Sequence, residues 1–135
     1  MADSGLTKKL LIKPGQRIVI LNAPPGYMDE LGLLPDGIEL VSKAEGSLDL
    51  VHLFVSNTDE LTRLAPEAIQ AVKRAGVLWI SYPKQSSKVK TDITRDRGWE
   101  PVREAGFEPV SMVSINDVWS ALRFRPSELV KRSRG

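Results

Sequence analysis

The sequence predicts an α/β domain of three layers, in which a mostly parallel sheet lies between helices and ends in an antiparallel hairpin. Three observations carry that prediction. Residues 48–55, LDLVHLFV, and 77–80, VLWI, are nearly unbroken apolar runs of the kind that a strand covered on both faces requires. Between them, apolar residues recur at 61, 64, 65, 68, 69 and 72, the spacing of a helix with one buried face. Beyond residue 110 the pattern changes to alternation, with Val110, Met112 and Ser114 set against Ser111, Val113 and Ile115.

Taken in order, Lys13-Pro14-Gly15 is a turn signal ahead of Arg17, Ile18, Val19, Ile20 and Leu21, a β-branched run that reads as the first core strand. Asn22-Ala23-Pro24-Pro25-Gly26 ends it, because two prolines fix φ and remove two amide donors. Residues 27–34 supply one or two helical turns before Pro35-Asp36-Gly37 turns the chain into a short strand over 38–41. After the strand at 48–55, Asn57 or Thr58 caps a helix whose positive end meets Asp59 and Glu60. Pro66 is expected to divide that helix in two, and Gly76 to stop it after Lys73 and Arg74. Strand 77–80 then runs into Tyr82-Pro83 and a polar loop. A helix is expected over 97–105 with Trp99 and Val102 inward. A strand near 110–115, a two-residue Asn116-Asp117 turn and a strand over 119–124, placed near the sheet edge, complete the hairpin. Residues 126–135 read as a basic, frayed or partly helical tail on a single domain of 135 residues.

A chain of this length buries roughly two-thirds of its unfolded surface and needs no covalent staple. Hydrophobic residues at 41% and charged residues at 27% are ordinary globular values. The absence of cysteine excludes disulfides, thiolate metal sites and a cysteine nucleophile, and a cytoplasmic location is the expectation. The lysine-bearing amino terminus contains only a three-residue apolar run, residues 10–12, too short for a signal core or a membrane span. A net charge of +2 is too weak by itself to mark a nucleic-acid binder. The excess is uneven, however, with six basic against three acidic residues between Lys84 and Arg103.

That basic stretch is the expected site. Ligands of open α/β sheets sit in the crevice outside the carboxyl ends of the strands, which is where the loop after strand 77–80 falls. Lys84, Lys88 and Lys90 would neutralise an anion, Ser86 and Ser87 would donate hydrogen bonds to it, and Asp92 and Arg95 complete the candidate set. Asn22 and Tyr27, after the first strand, would orient the ligand. The four-residue spacing of Asp92 and Asp96 also suits charges that complement a helix dipole. His52 is the single histidine and lies in mid-strand with no nucleophile elbow nearby, so a hydrogen-bonded core residue is expected rather than a catalytic base. One histidine, no cysteine and scattered carboxylates indicate no metal site. Trp79, Trp99 and Trp119 are expected as packing anchors.

IKPGQRIVILNAPPG resembles the opening of class I methyltransferases, where a Lys-Pro-Gly turn precedes a strand that runs into a glycine-rich loop. LDLVHLFV resembles their fourth strand, IQAVKRAGVLWISYPK the helix, glycine and strand that follow, and GFEPVSMVSINDVWSALRFRP their terminal hairpin. The resemblance covers residues 10–126 and implies a Rossmann-like sheet and S-adenosylmethionine as cofactor. It also implies a glycine-rich loop against the methionine portion and an acidic residue at the end of the second strand for the ribose. Here a single glycine, Gly26, stands in that loop, and Ser42 and Lys43 stand where the acid belongs. KPGQRIVILNAPPGY together with LWISYPKQSSKVKTD is similar to a family of small bacterial proteins of unknown function, which brings no activity with it. The leading expectation is therefore a Rossmann-like domain that binds a small anionic ligand, a nucleotide or phosphorylated metabolite, without strong catalysis. The alternatives are a degenerate S-adenosylmethionine-dependent methyltransferase, and a module whose basic loop and tail contact nucleic acid or an acidic protein.

Overall fold

The computed structural model describes residues 5–132. In chain order the elements are α1 (Leu6–Lys9), β1 (Arg17–Leu21), α2 (Tyr27–Leu31), β2 (Glu39–Val41), β3 (Leu48–Phe54), α3 (Thr58–Ala71), β4 (Val72–Pro83), α4 (Glu100–Glu104), β5 (Phe107–Ser114), β6 (Trp119–Pro126) and α5 (Ser127–Arg132). One six-stranded sheet has the order β2-β1-β3-β4-β6-β5. Its first four strands are parallel, and β6 runs antiparallel to both β4 and β5. A mostly parallel sheet with a terminal hairpin is thus the observed architecture. The expected tail is helical over α5, and residues 133–135 lie outside the described residues.

Each face of the sheet has its own core. On one, Leu61, Ala65 and Ala68 of α3 and Val102 of α4 pack on Val51, Leu53, Leu78, Ile80 and Phe124. On the other, Leu6 of α1, Leu10 just after it, and Tyr27 and Leu31 of α2 pack on Ile18, Leu50, Phe54 and Trp79. The two apolar runs of the sequence read as they do because β3 and β4 alternate between these cores. Trp79 is buried, and its indole Nε1 donates to the Leu10 carbonyl at 2.8 Å, so the same residue fills the core and holds α1 in place.

Three expectations are corrected. Pro66 does not divide the helix: α3 is continuous, and Pro66 sits exposed on its outer face. The lost hydrogen bond there leaves a solvent-side carbonyl that water can satisfy, while the inner stripe keeps its seat on the sheet. Gly76 is not the helix stop, because α3 ends at Ala71 and β4 begins at Val72. Leu48 pairs with Val72 and Leu50 with Val77, so β4 bulges outward over residues 73–75. A Cβ on Gly76 would lie 2.9 Å from the Asp49 carbonyl oxygen, so glycine permits close backbone packing at the end of the bulge. The final strand, β6, lies near the sheet edge as expected, with β5 forming the edge itself. Between β5 and β6 the turn is longer than two residues: both Ile115 and Asn116 amides donate to the Trp119 carbonyl, and the Asn116 side chain accepts from the Val118 and Trp119 amides.

Candidate functional site

The chain reverses direction of travel across the sheet between β1 and β3, since β1 is followed outward by β2 and inward by β3. In open α/β sheets that switch point is where a crevice forms. Asn22 occupies it. Its backbone takes the left-handed conformation, φ 59, and its side-chain Nδ2 donates to the Phe54 carbonyl at 2.9 Å, joining the ends of the two strands. Asparagine tolerates this conformation better than most residues, which accounts for its place directly after the strand. Gly26, φ 84, then opens α2, and a Cβ built on it meets nothing within 4 Å.

Tyr27 turns inward rather than toward a ligand. It is 2% exposed, its ring meets Phe54 edge-on at 4.7 Å, and its hydroxyl lies 3.4 Å from His52 Nδ1. His52 Nε2 is 2.6 Å from Ser81 Oγ, so tyrosine, histidine and serine form a buried polar chain across α2, β3 and β4. Burial pushes the His52 pKa down to about 3 and the Tyr27 hydroxyl well above its ordinary value, with Glu30 adding to the latter. The histidine is therefore neutral at physiological pH, and Ser81 is fully buried, which makes this group core structure. Above it, Asn116 Nδ2 donates to Glu30 Oε1 at 2.9 Å and links α2 to the hairpin turn. Pro24, Pro25, Tyr27, Glu30, Val118 and Trp119 line a cavity of about 280 Å³ there.

The polar loop after β4 lies on the opposite face. Its hydroxyls are mostly spent on the loop itself: Ser87 Oγ donates to the Lys84 carbonyl, Thr91 Oγ1 accepts from the Ile93 amide, and Thr94 Oγ1 accepts from the Asp96 amide. Ile93 is buried, and the Trp99 indole Nε1 donates to the Thr94 carbonyl at 2.8 Å. Asp92 accepts from both the Thr58 amide and the Thr58 hydroxyl, at 2.8 and 2.6 Å. Those two bonds hold its carboxyl below the ordinary carboxylate range. Asp92 does complement a helix dipole, but at the amino end of α3, 34 residues earlier in the chain. Lys84 is half-buried, with its Nζ donating to Ser114 Oγ at 2.7 Å. It lines a cavity of about 380 Å³ with Tyr82, Thr94, Arg95, Asp96 and Ser120. Burial raises the Tyr82 hydroxyl above its ordinary pKa.

The expected residues thus divide. Lys84 and Arg95 share one cavity, Tyr27 lines another, and Asn22 stands at the switch point between β1 and β3. Ser86, Lys88 and Lys90 are exposed on the loop, with no ion pair to either lysine among the described residues. Ser81, Glu30 and Asn116 escaped the sequence reading, because their roles come from partners 29 and 86 residues away. Among the described residues no group of three or more histidines and carboxylates could hold a metal, and no helix is long and apolar enough to cross a membrane.

S-adenosylmethionine, the cofactor that the fold resemblance implies, fits this end in part. Gly26 leaves its backbone open to close approach, and Asn22, whose Nδ2 is committed to the Phe54 carbonyl, holds its side chain at the switch point. After β2, however, the exposed Ser42 and Lys43 supply no carboxylate for ribose hydroxyls.

No family model matches the sequence, and no curated protein matches it. Solved structures do. The DhpI-SAM-HEP complex aligns at a TM-score of 0.61 and 12% identity, over 91% of this chain and 84% of that one. A SAM-dependent methyltransferase from Aquifex aeolicus aligns at 0.59 and 12% identity, over 91% and 89%. The ribosomal protein L11 methylase from Lactobacillus delbrueckii subsp. bulgaricus aligns at 0.55 and 14% identity, over 91% and 76%. At these identities the likeness is one of architecture, and the chain has a methyltransferase-like Rossmann fold.

Proposed function

We propose that the chain is a reduced methyltransferase-type domain that binds S-adenosylmethionine or its demethylated product at the carboxyl ends of β1 and β3, without a dedicated catalytic side chain. The strand order β2-β1-β3-β4-β6-β5, with an antiparallel strand between the last parallel strand and the edge, is the observation that carries this reading. Asn22 would bind the ligand's polar groups at the switch point, and the open backbone at Gly26 would approach its amino-acid portion. Such a cofactor, when bound, supplies an electrophilic methyl group. The chain's own contribution is to bind and orient.

Thermal unfolding with and without S-adenosylmethionine and S-adenosylhomocysteine tests it, in a panel with nucleotides and sugar phosphates. A one-site ligand at about a hundred times its dissociation constant adds roughly 2.7 kcal/mol, which moves the midpoint by several degrees. A shift with either adenosyl compound is the expected result; no shift at millimolar concentration overturns the reading.

A second reading is favoured by one observation. Lys88 and Lys90 are exposed on a loop that is otherwise tied down by its own hydroxyls and Asp92. They suit a small phosphorylated ligand bound without catalysis. On that reading the midpoint shifts only with phosphorylated compounds, and Lys88→Ala with Lys90→Ala abolishes the shift while leaving the unliganded midpoint unchanged.

A further inference from the structure

A larger concavity lies at the opposite end of the sheet, beside the amino ends of β1, β3 and the second half of β4. It encloses about 490 Å³, within the range of small-molecule sites. Its walls come from the segment between α1 and β1, with Leu11, Lys13 and Gln16, and from β4, with Lys73 in the bulge and Val77 just beyond it. Arg123 of β6 closes it, beside Trp79 in the strand register. The bulge shapes the cavity, since the outward excursion of residues 73–75 interrupts the wall that a regular β4 would make.

The charges around this cavity are not balanced. Arg123 Nε is buried and has no hydrogen-bond partner among the described residues. No carboxylate forms an ion pair with this arginine among them either. The one carboxylate in the wall, Asp49, is already committed: it accepts from the Arg17 amide at 2.7 Å and from Lys73 Nζ at 2.8 Å. Burial, with Arg125 nearby, lowers the pKa of the Arg123 guanidinium from its ordinary value, as expected of a cation that lacks a counter-charge. Gln16 uses its Oε1 to accept from the Lys13 amide at 2.9 Å, which turns one wall residue into a fixed support for the other. Nε is sealed from solvent, so the donors that an acceptor from outside the chain would meet are the terminal nitrogens of this half-buried side chain, which have no hydrogen bond or ion pair among the described residues.

We propose that this cavity is a second binding site, for a small organic phosphate whose dianionic group pairs with Arg123 and Lys13. A guanidinium presents parallel donors that match phosphate oxygens, whereas the ammonium of Lys13 adds a point charge from the exposed rim. The volume exceeds what one phosphate group fills, so the remainder of the ligand lies along Leu11 and Val77. The site is separate from the carboxyl-end reading above and neither depends on it nor supports it.

Ribose 5-phosphate is the probe, with ribose and potassium chloride at matched ionic strength as controls. Titration calorimetry is expected to give a dissociation constant of about 1 mM or tighter for the phosphate and no heat for ribose. The side-chain Nε–H resonance of Arg123 is expected to move on addition of the phosphate. Arg123→Met, which keeps the aliphatic stem, should weaken binding by about tenfold or more without lowering the melting temperature. Should that variant fail to fold, the exposed Lys13→Ala carries the same test with a smaller loss. In the Lys88→Ala, Lys90→Ala protein the Arg123 Nε–H resonance should still move on addition of ribose 5-phosphate, a readout local to this cavity that separates it from the carboxyl-end loop. Equal affinity in Arg123→Met overturns the proposal, as do silence of the parent protein at about 20 mM probe and a loss confined to the Lys88→Ala, Lys90→Ala protein.

Discussion

His52 shows how much a single residue's role depends on where the sheet places it. As the chain's only histidine it is the one side chain whose ordinary pKa, 6.5, falls near neutrality, yet complete burial between Tyr27 and Ser81 holds it down to about 3. A depressed histidine pKa means that the unfolded chain takes up a proton that the folded protein refuses. Stability is therefore whole above pH 6.5 and declines as pH falls from there toward 3, by about 1.4 kcal/mol per pH unit. Between about pH 6.5 and 5 no other side chain should contribute much, because carboxylates titrate lower. Urea unfolding at about pH 7, 6 and 5 checks this, and a His52→Gln protein should lose the slope in that window. A parent protein whose stability is level across those pH values would mean that His52 is accessible in the folded state. Asp92 makes the same point about position: Thr58 claims both its oxygens, so its charge serves α3 before it can serve a ligand.

At the scale of the element, α3 illustrates local sequence signals overruled and obeyed in one helix. Its start follows the sequence, for Asn57 Oδ1 accepts from the Glu60 amide at 2.9 Å while Glu60 Oε1 accepts from the Ser56 amide at 2.6 Å. Replacing Asn57 by alanine should cost about 1 kcal/mol in chemical denaturation. Its middle disobeys, since Pro66 rides inside the helix with its ring exposed. Burial of Leu61, Ala65 and Ala68 against the sheet holds the helix together through the proline. Pro66→Ala should therefore stabilise the protein, by about 1 to 2 kcal/mol. The gain is smaller than the full helix-interior penalty of about 3 kcal/mol, because proline also restricts the unfolded chain. No gain in the denaturation midpoint would show that the proline is already accommodated without loss of stability. Inside β4, just past the bulge, Gly76→Ala should destabilise by about 1 to 3 kcal/mol, because the added methyl meets the Asp49 and Lys73 carbonyl oxygens at 2.9 and 3.1 Å, and neither can swing away as a side chain would. A Gly76→Ala protein as stable as the parent would mean that the bulge relaxes freely.

The whole molecule is organised by one sheet that serves two cores. Trp99 is buried in the core beneath α3 and α4, and Trp79 in the core beneath α1 and α2. Both cores take alternate residues of β3 and β4, so neither can melt while the other keeps its strands. Unfolding is expected as one cooperative transition, with the Trp79→Phe and Trp99→Phe proteins each giving coincident fluorescence and circular dichroism curves. Two separated transitions would divide the domain. The same sheet places polar loops at its carboxyl ends and an unpaired arginine at its amino ends, so the two candidate binding sites face opposite directions and can be tested independently.

Fold class was legible because it depends on periodicity, which a strand or helix must display to bury one face or two: LDLVHLFV and VLWI have the unbroken apolar pattern of central strands, and the stripe from Leu61 to Ala68 that of a covered helix. The general location of the polar loop was legible for the same reason, since it follows a buried strand. Pairing was not. Asp92 with Thr58, His52 with Ser81, Asn116 with Glu30 and Arg123 Nε with no partner among the described residues are relations that join, or leave unjoined, positions distant in the chain. Composition and spacing say what chemistry a side chain has; only the closure of the sheet decides which of its donors and acceptors remain for a ligand, because hydrogen bonds within the fold are satisfied first.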